Sequence, residues 1–460
     1  MKRGPRLELA IVALVLTLSL GFRLAGLDVF LVHDEMRWAC RSVGFRAGMI
    51  RGDWAETYRV GHPGVVTMWL GALSIPNREA QAEAACEAFD DYRHFDDDNL
   101  PATTKGELSE VGAMVFRGRV GVALFTWLSI IALYFLTRTL LGARIAVLSL
   151  ALIALDPFYL ALSRFLHTDA IHASLMTLSV LSLLVSVRRG TSDRPGLALL
   201  LASGAASGLA MVQKSPAVFL APFTVLLLTA FFLRRGAGKA STARTLRALA
   251  LWGVAAAVIY VAAWPAMWSD PLGTIGKVLN TATRYAKEGH TPGNYFLGQA
   301  VHDPGWLFYP VVALFRLSPL TLVGLVGVVA RFTAKGFRGV RSFALTALLA
   351  YSVLFGGFMS LGDKMFDRYL LPALPALIIT AAAGLLWLAT GLEKWVRRKR
   401  GLGRYLSRRR TYVGVVALAL VVQAVMLLVH YPYYLTYYDP FLGGATQARR
   451  ALLVGWGEGY

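Results

Sequence analysis

Eleven apolar stretches recur along the chain, each near the length an α-helix needs to cross a lipid bilayer. They fall at roughly 7–27, 119–139, 143–162, 168–187, 196–213, 217–233, 247–267, 311–330, 342–361, 369–391 and 411–430. At 1.5 Å per residue, about 20 apolar residues cover the hydrocarbon core. Two shorter apolar runs, Val65 to Ile75 and Trp306 to Leu314, cannot cross and read as re-entrant or interfacial helices. The first run follows MKRGPR and imitates a signal peptide. It lacks a convincing small-residue cleavage site, so it reads as a retained first helix. No internal repeat is evident, which disfavours the inverted-repeat transporter folds.

Composition agrees with the pattern. Of the 460 residues 56% are hydrophobic and only 16% charged, which is the balance of a polytopic membrane protein. The formal net charge of +20 does not mark a nucleic-acid binder, because the basic residues sit in short clusters between apolar runs. These clusters are Lys2, Arg3 and Arg6, Arg138 and Arg144, Arg188 to Arg194, residues 234–247, residues 331–341 and residues 394–410. With eleven spans all six fall at one end of the bundle, and the positive-inside rule makes that end cytoplasmic.

The other end carries the long loops, about 28–118 and 268–310, and the tail after Tyr431. Asp34 and Glu35 open the first loop, in LVHDEMRW, and His62-Pro63-Gly64 precedes the first short apolar run. Asp156, Arg164, His167 and Asp169 lie between the third and fourth spans. Lys214 ends the fifth span, and Asp363, Lys364, Asp367 and Arg368 lie between the ninth and tenth. Ionisable groups at membrane depth are expensive to hold, so their convergence marks a functional face. A carboxylate there can take the proton of an acceptor hydroxyl, and Lys and Arg can hold a lipid phosphate and stabilise it as it leaves. The bland alternatives are polar turns, snorkelling lysines and a charge-paired KMFDR turn. His167 and His172 are five apart and would not share a helix face as a metal pair, and His302-Asp303-Pro304 reads as a loop turn. The aromatic run YPYYLTYYDP (431–440) reads as an interfacial belt. Cys40 and Cys86 both lie in the first long loop and are as open to being free as to being bonded.

Several segments also resemble a known group of enzymes. DE after the first span and HPG before the next helix are similar to the DE and HPP elements of protein O-mannosyltransferases. SRFLHTDAIHASLMTLSVLSLL resembles the second acidic element of bacterial glycosyltransferase family 39 and aminoarabinose-transferase-like proteins. GLAMVQKSPAVFLAP, DPGWLFYPVVALFRLSPL, KMFDRYLLPALPAL and YYLTYYDPFLGGA follow in the same order. The resemblance spans nearly the whole chain. It implies an all-α polytopic GT-C membrane glycosyltransferase with about eleven transmembrane helices and a small outer-face domain built from the first long loop. The domain layout it suggests is 1–430 for the transferase and 431–460 for a short outer tail.

By the same resemblance, the donor is a sugar on polyprenyl phosphate and transfer occurs with inversion at the outer face. Asp34 takes the position of the catalytic base, with Glu35, Asp169 and His62 as its supports. Lys214, Lys364, Arg368 and Arg164 take the lipid-phosphate positions. HPG in place of HPP leaves the phosphate contact near that motif open. The partners implied are the lipid-linked donor, membrane lipids and an acceptor of undefined class, with no nucleic acid. No cofactor is required by the pattern, and a divalent metal ion is left open. The competing reading is a transporter or flippase using the same acids as a proton relay. Relay acids tend to sit mid-span, whereas these sit at span ends.

Overall fold

The computed structural model describes residues 4–76, 79–92, 102–234, 236, 238–288, 294–335, 340–400 and 407–455. Within them the chain is almost entirely helical. In order the helices are α1 (Gly4–Leu24), α2 (His33–Arg51), α3 (Val65–Ser74), α4 (Glu79–Tyr92), α5 (Ala102–Leu141), α6 (Ala143–Ala154), α7 (Pro157–Leu162), α8 (Asp169–Arg189) and α9 (Arg194–Gln213). There follow α10 (Leu220–Arg234), α11 (Lys239–Ala263), α12 (Ala266–Ser269), α13 (Pro271–Lys287), α14 (Phe308–Arg316), α15 (Pro319–Lys335), α16 (Val340–Met359), α17 (Leu374–Arg400), α18 (Arg408–Val429) and α19 (Gly444–Ala448). A two-stranded hairpin, β1 (Asn294–Phe296) with β2 (Gln299–Val301), lies in the second long loop.

Among the described residues nine helices are long and apolar enough to cross a membrane: α1, α5, α8, α9, α10, α11, α16, α17 and α18. The chain is a multi-pass membrane protein. The other two expected spans are not single straight helices. The stretch 143–162 breaks between α6 and α7 at Asp156-Pro157. Proline has no N–H and cannot continue the helical ladder. The carbonyl of Ala154, at the broken end, accepts instead from Ser19 Oγ at 3.1 Å and from buried Arg23 at 3.0 Å. The stretch 311–330 is two helices, α14 and α15, bent by 119° just before Pro319. The short apolar runs form α3 and α14, as their length suggests. Helix α5 starts at Ala102, well before the span expected from residue 119.

Contacts knit the basic clusters together at one end of the bundle. Arg138 donates to Glu8 at 2.7 Å, Arg188 to the carbonyl of Leu140 at 2.5 Å, and Arg144 and Arg331 stack on Tyr412 and Trp387. The opposite end carries α2, α3, α4 and α13. Helices α8 and α17 form the buried centre, and the first residue of α8, Asp169, is thereby fixed at the loop-bearing end.

Two devices hold α2 there. Glu35 has no exposed surface; its carboxylate receives both Arg119 Nε, at 2.7 Å, and Arg119 Nη2 from α5. It also accepts the Leu166 N–H at 2.8 Å and the Val32 N–H at 3.1 Å, capping α2. The second device is a disulfide between Cys40 on α2 and Cys86 on α4, 46 residues apart. Arg119→Ala strands a buried carboxylate and should cost about 3–5 kcal/mol, read as a large drop in melting temperature in detergent or nanodiscs. Cys40→Ser should cost about 2–4 kcal/mol, less than the ion-pair variant. Intact mass without reductant would contradict the bridge if both thiols take up an alkylating agent.

Candidate active site

Helix α2 presents Asp34 on its first turn, where the positive end of the helix dipole favours a carboxylate. The Asp34 side chain is one-third exposed and opens into a cleft of ≈ 590 Å³ at the loop-bearing end. Arg37, one turn on, stands 3.8 Å from it. His167, from the turn that precedes α8, lies between two acids. Its Nε2 is 3.9 Å from Asp34 and its Nδ1 is 3.1 Å from Asp169. Asp169 then meets Lys214 at 2.5 Å and Arg368 at 3.4 Å. A continuous row of ionisable side chains thus runs from Asp34 through His167 and Asp169 to two cations.

Buried Gln213 explains how three distant motifs meet. Its side chain donates to Thr67 Oγ1 at 2.6 Å and to the Thr168 carbonyl at 3.2 Å, and accepts the Thr67 N–H at 3.1 Å. Its own carbonyl accepts the Gly64 N–H at 3.0 Å. The glycine of HPG is required by geometry. Gly64 has φ +61°, outside the range open to proline, and a Cβ there would lie 2.1 Å from the Trp38 ring. His62 therefore sits against Trp38 and Tyr285, with ring centroids at 5.5 and 6.0 Å. Burial, reinforced by Arg41 and Lys214, pushes its imidazole down to about 3, so it is a neutral group.

The cations arrive from two further segments. Lys214 follows α9 and stacks over Tyr369, 4.1 Å from the ring centre. Lys364 stacks over Tyr285 at 4.7 Å, and among the described residues no carboxylate lies within ion-pair distance of it. Burial and the neighbouring Arg368 hold Lys364 below the usual lysine range. The KMFDR segment is not a self-paired turn. Asp367 is taken by buried Arg316, at 2.5 Å, and leaves Arg368 turned toward Asp169. Arg316 also donates to the carbonyls of Leu435 and Tyr437, at 2.8 and 2.5 Å. The aromatic run 431–440 is consequently only partly an exposed belt: Tyr431 is exposed, Tyr437 and Tyr438 are buried beside this arginine, and buried Tyr434 packs under Arg164, 4.9 Å from its ring centre.

Of the residues expected from sequence, Asp34, His62, Lys214, Lys364 and Arg368 line the cleft, and Asp169 backs it. Glu35 and Arg164 do not line it. Glu35 is spent on Arg119, and Arg164 donates to the carbonyls of Ala25 and Gly26, at 2.5 and 2.7 Å. Asp156 caps α7 by accepting the Tyr159 N–H at 2.9 Å, and Asp303 forms a turn with Gly305 at 2.7 Å. His167, which the sequence placed on this face without a role, also lines it, and so do Arg37, Arg41, Tyr285 and Tyr369, which sequence reading did not select. Among the described residues no three His, Cys, Asp or Glu side chains gather as a metal site would require. One wall of the cleft is apolar, formed by Val218, Phe358, Met359 and Leu361, and adjoins the membrane spans.

Residues 109–266, about a third of the chain, match the family described as dolichyl-phosphate-mannose-protein mannosyltransferase. No curated protein sequence matches the chain. The fold is similar to that of ArnT from Cupriavidus metallidurans bound to undecaprenyl phosphate, at 18% identity and a TM-score of 0.55, over 92% of this chain and 70% of that one. It is also similar to the archaeal oligosaccharyltransferase AglB from Archaeoglobus fulgidus, solved with an inhibitory peptide and a dolichol-phosphate. The identity there is 15% and the TM-score 0.54, over 93% of this chain and 56% of that one. The chain has the fold of the GT-C membrane glycosyltransferases.

Proposed function

We propose that this protein transfers a sugar from a polyprenyl-phosphate-linked donor to a hydroxyl of its acceptor. The observation that carries the reading is the cleft itself. A carboxylate at a helix N-terminus faces Lys214, Lys364 and Arg368 across a space whose membrane side is apolar. The family match and the lipid phosphates held by the structurally similar ArnT and AglB support the same class of reaction. The positive-inside rule puts the basic end in the cytoplasm and the cleft on the outer side.

Asp34 accepts the acceptor's O–H proton as that oxygen attacks the anomeric carbon. The bond from that carbon to the phosphate oxygen breaks, its electron pair leaves with the lipid phosphate, and the carbon inverts. Lys364 meets the phosphate first, because among the described residues no carboxylate lies within ion-pair distance of it. Lys214 and Arg368 join as charge develops on the leaving oxygen. Asp169 keeps those two cations in place before the lipid arrives. His167, wedged between the two acids, holds Asp34 toward the acceptor. His62 is neutral and orients the acceptor.

With purified protein in nanodiscs and a panel of polyprenyl-phosphate sugars, release of polyprenyl phosphate reports turnover. Asp34→Asn should lower kcat by about 10²–10⁴-fold while leaving donor binding near wild type. Lys364→Gln should instead raise the donor KM by about tenfold. Turnover unaffected by Asp34→Asn, or absent with every donor, would point to the transporter reading and to flux measurements in vesicles. Since His62 carries no proton above pH 5, His62→Asn should reduce the rate without moving the acid limb of the pH profile. An acid limb displaced in that variant would remove His62 as a neutral orienter.

A further inference from the structure

Beside the cleft lies a second, more polar one of ≈ 430 Å³, formed between α2, α4 and the turn around Glu56. The two share Arg37 and Arg41, so they are continuous along one face of α2. That face reads Asp34, Arg37, Arg41, Gly44, Gly48, Arg51, the three-and-four spacing of a single helical stripe. From Asp34 to Arg51 it runs about 25 Å, at 1.5 Å per residue. The stripe is built as a trough. A Cβ on Gly44 would lie 2.5 Å from the Arg59 guanidinium, which therefore rests directly on the helix backbone.

Four arginines, Arg37, Arg41, Arg51 and Arg59, and three carboxylates, Glu56, Glu83 and Glu87, line this second cleft. Arg51 is taken by Glu83 at 2.5 Å and Glu56 at 3.7 Å, a network that joins α2, α4 and the intervening turn. Arg59 has no carboxylate at ion-pair distance among the described residues, and its side chain is exposed. Arg41 is stacked 4.7 Å over the Trp38 ring, which orients its guanidinium between the two clefts. The Cys40–Cys86 disulfide lines the wall, so the distance between α2 and α4 is covalently set. A trough of held arginines with planar, bidentate donor edges suits phosphate or carboxylate oxygens.

We infer that this cleft is the acceptor's anion subsite. It takes a phosphate or carboxylate group between Arg41 and Arg59, about 10 Å along α2 from the hydroxyl that Asp34 deprotonates. The inference rests on the transferase reading, and it narrows the acceptor to an anionic molecule that lies along α2. Donor and acceptor charges would then occupy separate cation sets, Lys214, Lys364 and Arg368 for the one and Arg41 and Arg59 for the other.

The test is inorganic pyrophosphate binding to the full-length protein in phosphatidylcholine nanodiscs, with undecaprenyl phosphate present to occupy the donor cations. Arg59→Gln should weaken pyrophosphate binding at least tenfold, Arg59→Lys should restore part of it, and Lys364→Gln should leave it unchanged. A melting temperature of the Arg59 variants within a few degrees of wild type checks that the fold is kept. Binding indifferent to Arg59→Gln, or abolished by Lys364→Gln, overturns the subsite. The donor reading fails on a different measurement, namely undecaprenyl phosphate that does not bind or that ignores Lys364→Gln. Replacing phosphatidylcholine with phosphatidylglycerol separates two sources of the same anion. Arg59-dependent binding lost in phosphatidylglycerol assigns the subsite to a lipid headgroup, and binding that persists assigns it to a water-borne acceptor.

Discussion

The buried carboxylate of Glu35 is the interaction on which the site depends. An ion in the interior is tolerable only when its charge and its lone pairs are met, and Glu35 is met four times, twice by Arg119 and once each by two backbone N–H groups. Each of those partners belongs to a different part of the active face. Arg119 belongs to α5, Leu166 to the turn that carries His167, and Val32 to the start of α2 itself. The acid beside Asp34 therefore fixes where Asp34 points and where its histidine neighbour lies, without touching the cleft. The same logic recurs at Arg316, which ties the segment carrying Lys364 and Arg368 to the backbone of residues 435–437 and to Tyr438.

Much of the fold could be read from the sequence, because apolar length and the clustering of basic residues are local signals. The nine long spans among the described residues lie where the apolar runs put them, and Arg138, Arg144, Arg188 and Arg331 make their contacts at one end. The breaks were less legible. A run such as 143–162 satisfies a length criterion whether or not Asp156-Pro157 interrupts it, and the interruption is stabilised by Arg23 and Ser19, more than 130 residues away. Pairing at that distance leaves no periodic trace. For the same reason the sequence named Glu35 as the supporting neighbour of Asp34 without its ion-pair partner: Arg119 looked like the first residue of an apolar span. The tyrosines of 431–440 suggested an interface for want of any hint that Arg316 lies among them. The cysteine pairing, left open by sequence, is decided by the approach of α4 to α2.

The chemistry of the site follows from unequal neutralisation. Asp169 faces three cationic or potentially cationic groups, whereas Lys364 faces an aromatic ring and, among the described residues, has no carboxylate within ion-pair distance. Gly64 makes this arrangement compact, since the room it leaves is filled by Trp38, and Trp38 in turn carries Arg41.

The disulfide has a topological consequence. It closes the chain from Cys40 to Cys86 into a covalent loop that contains Arg41, Arg59, the HPG turn and all of α3, while Asp34 stands just outside it. A protease that cut once between those cysteines would release no fragment. The nicked molecule would stay a single piece until a reductant opened the loop, so in an oxidising compartment this face of the protein can be severed without being shed.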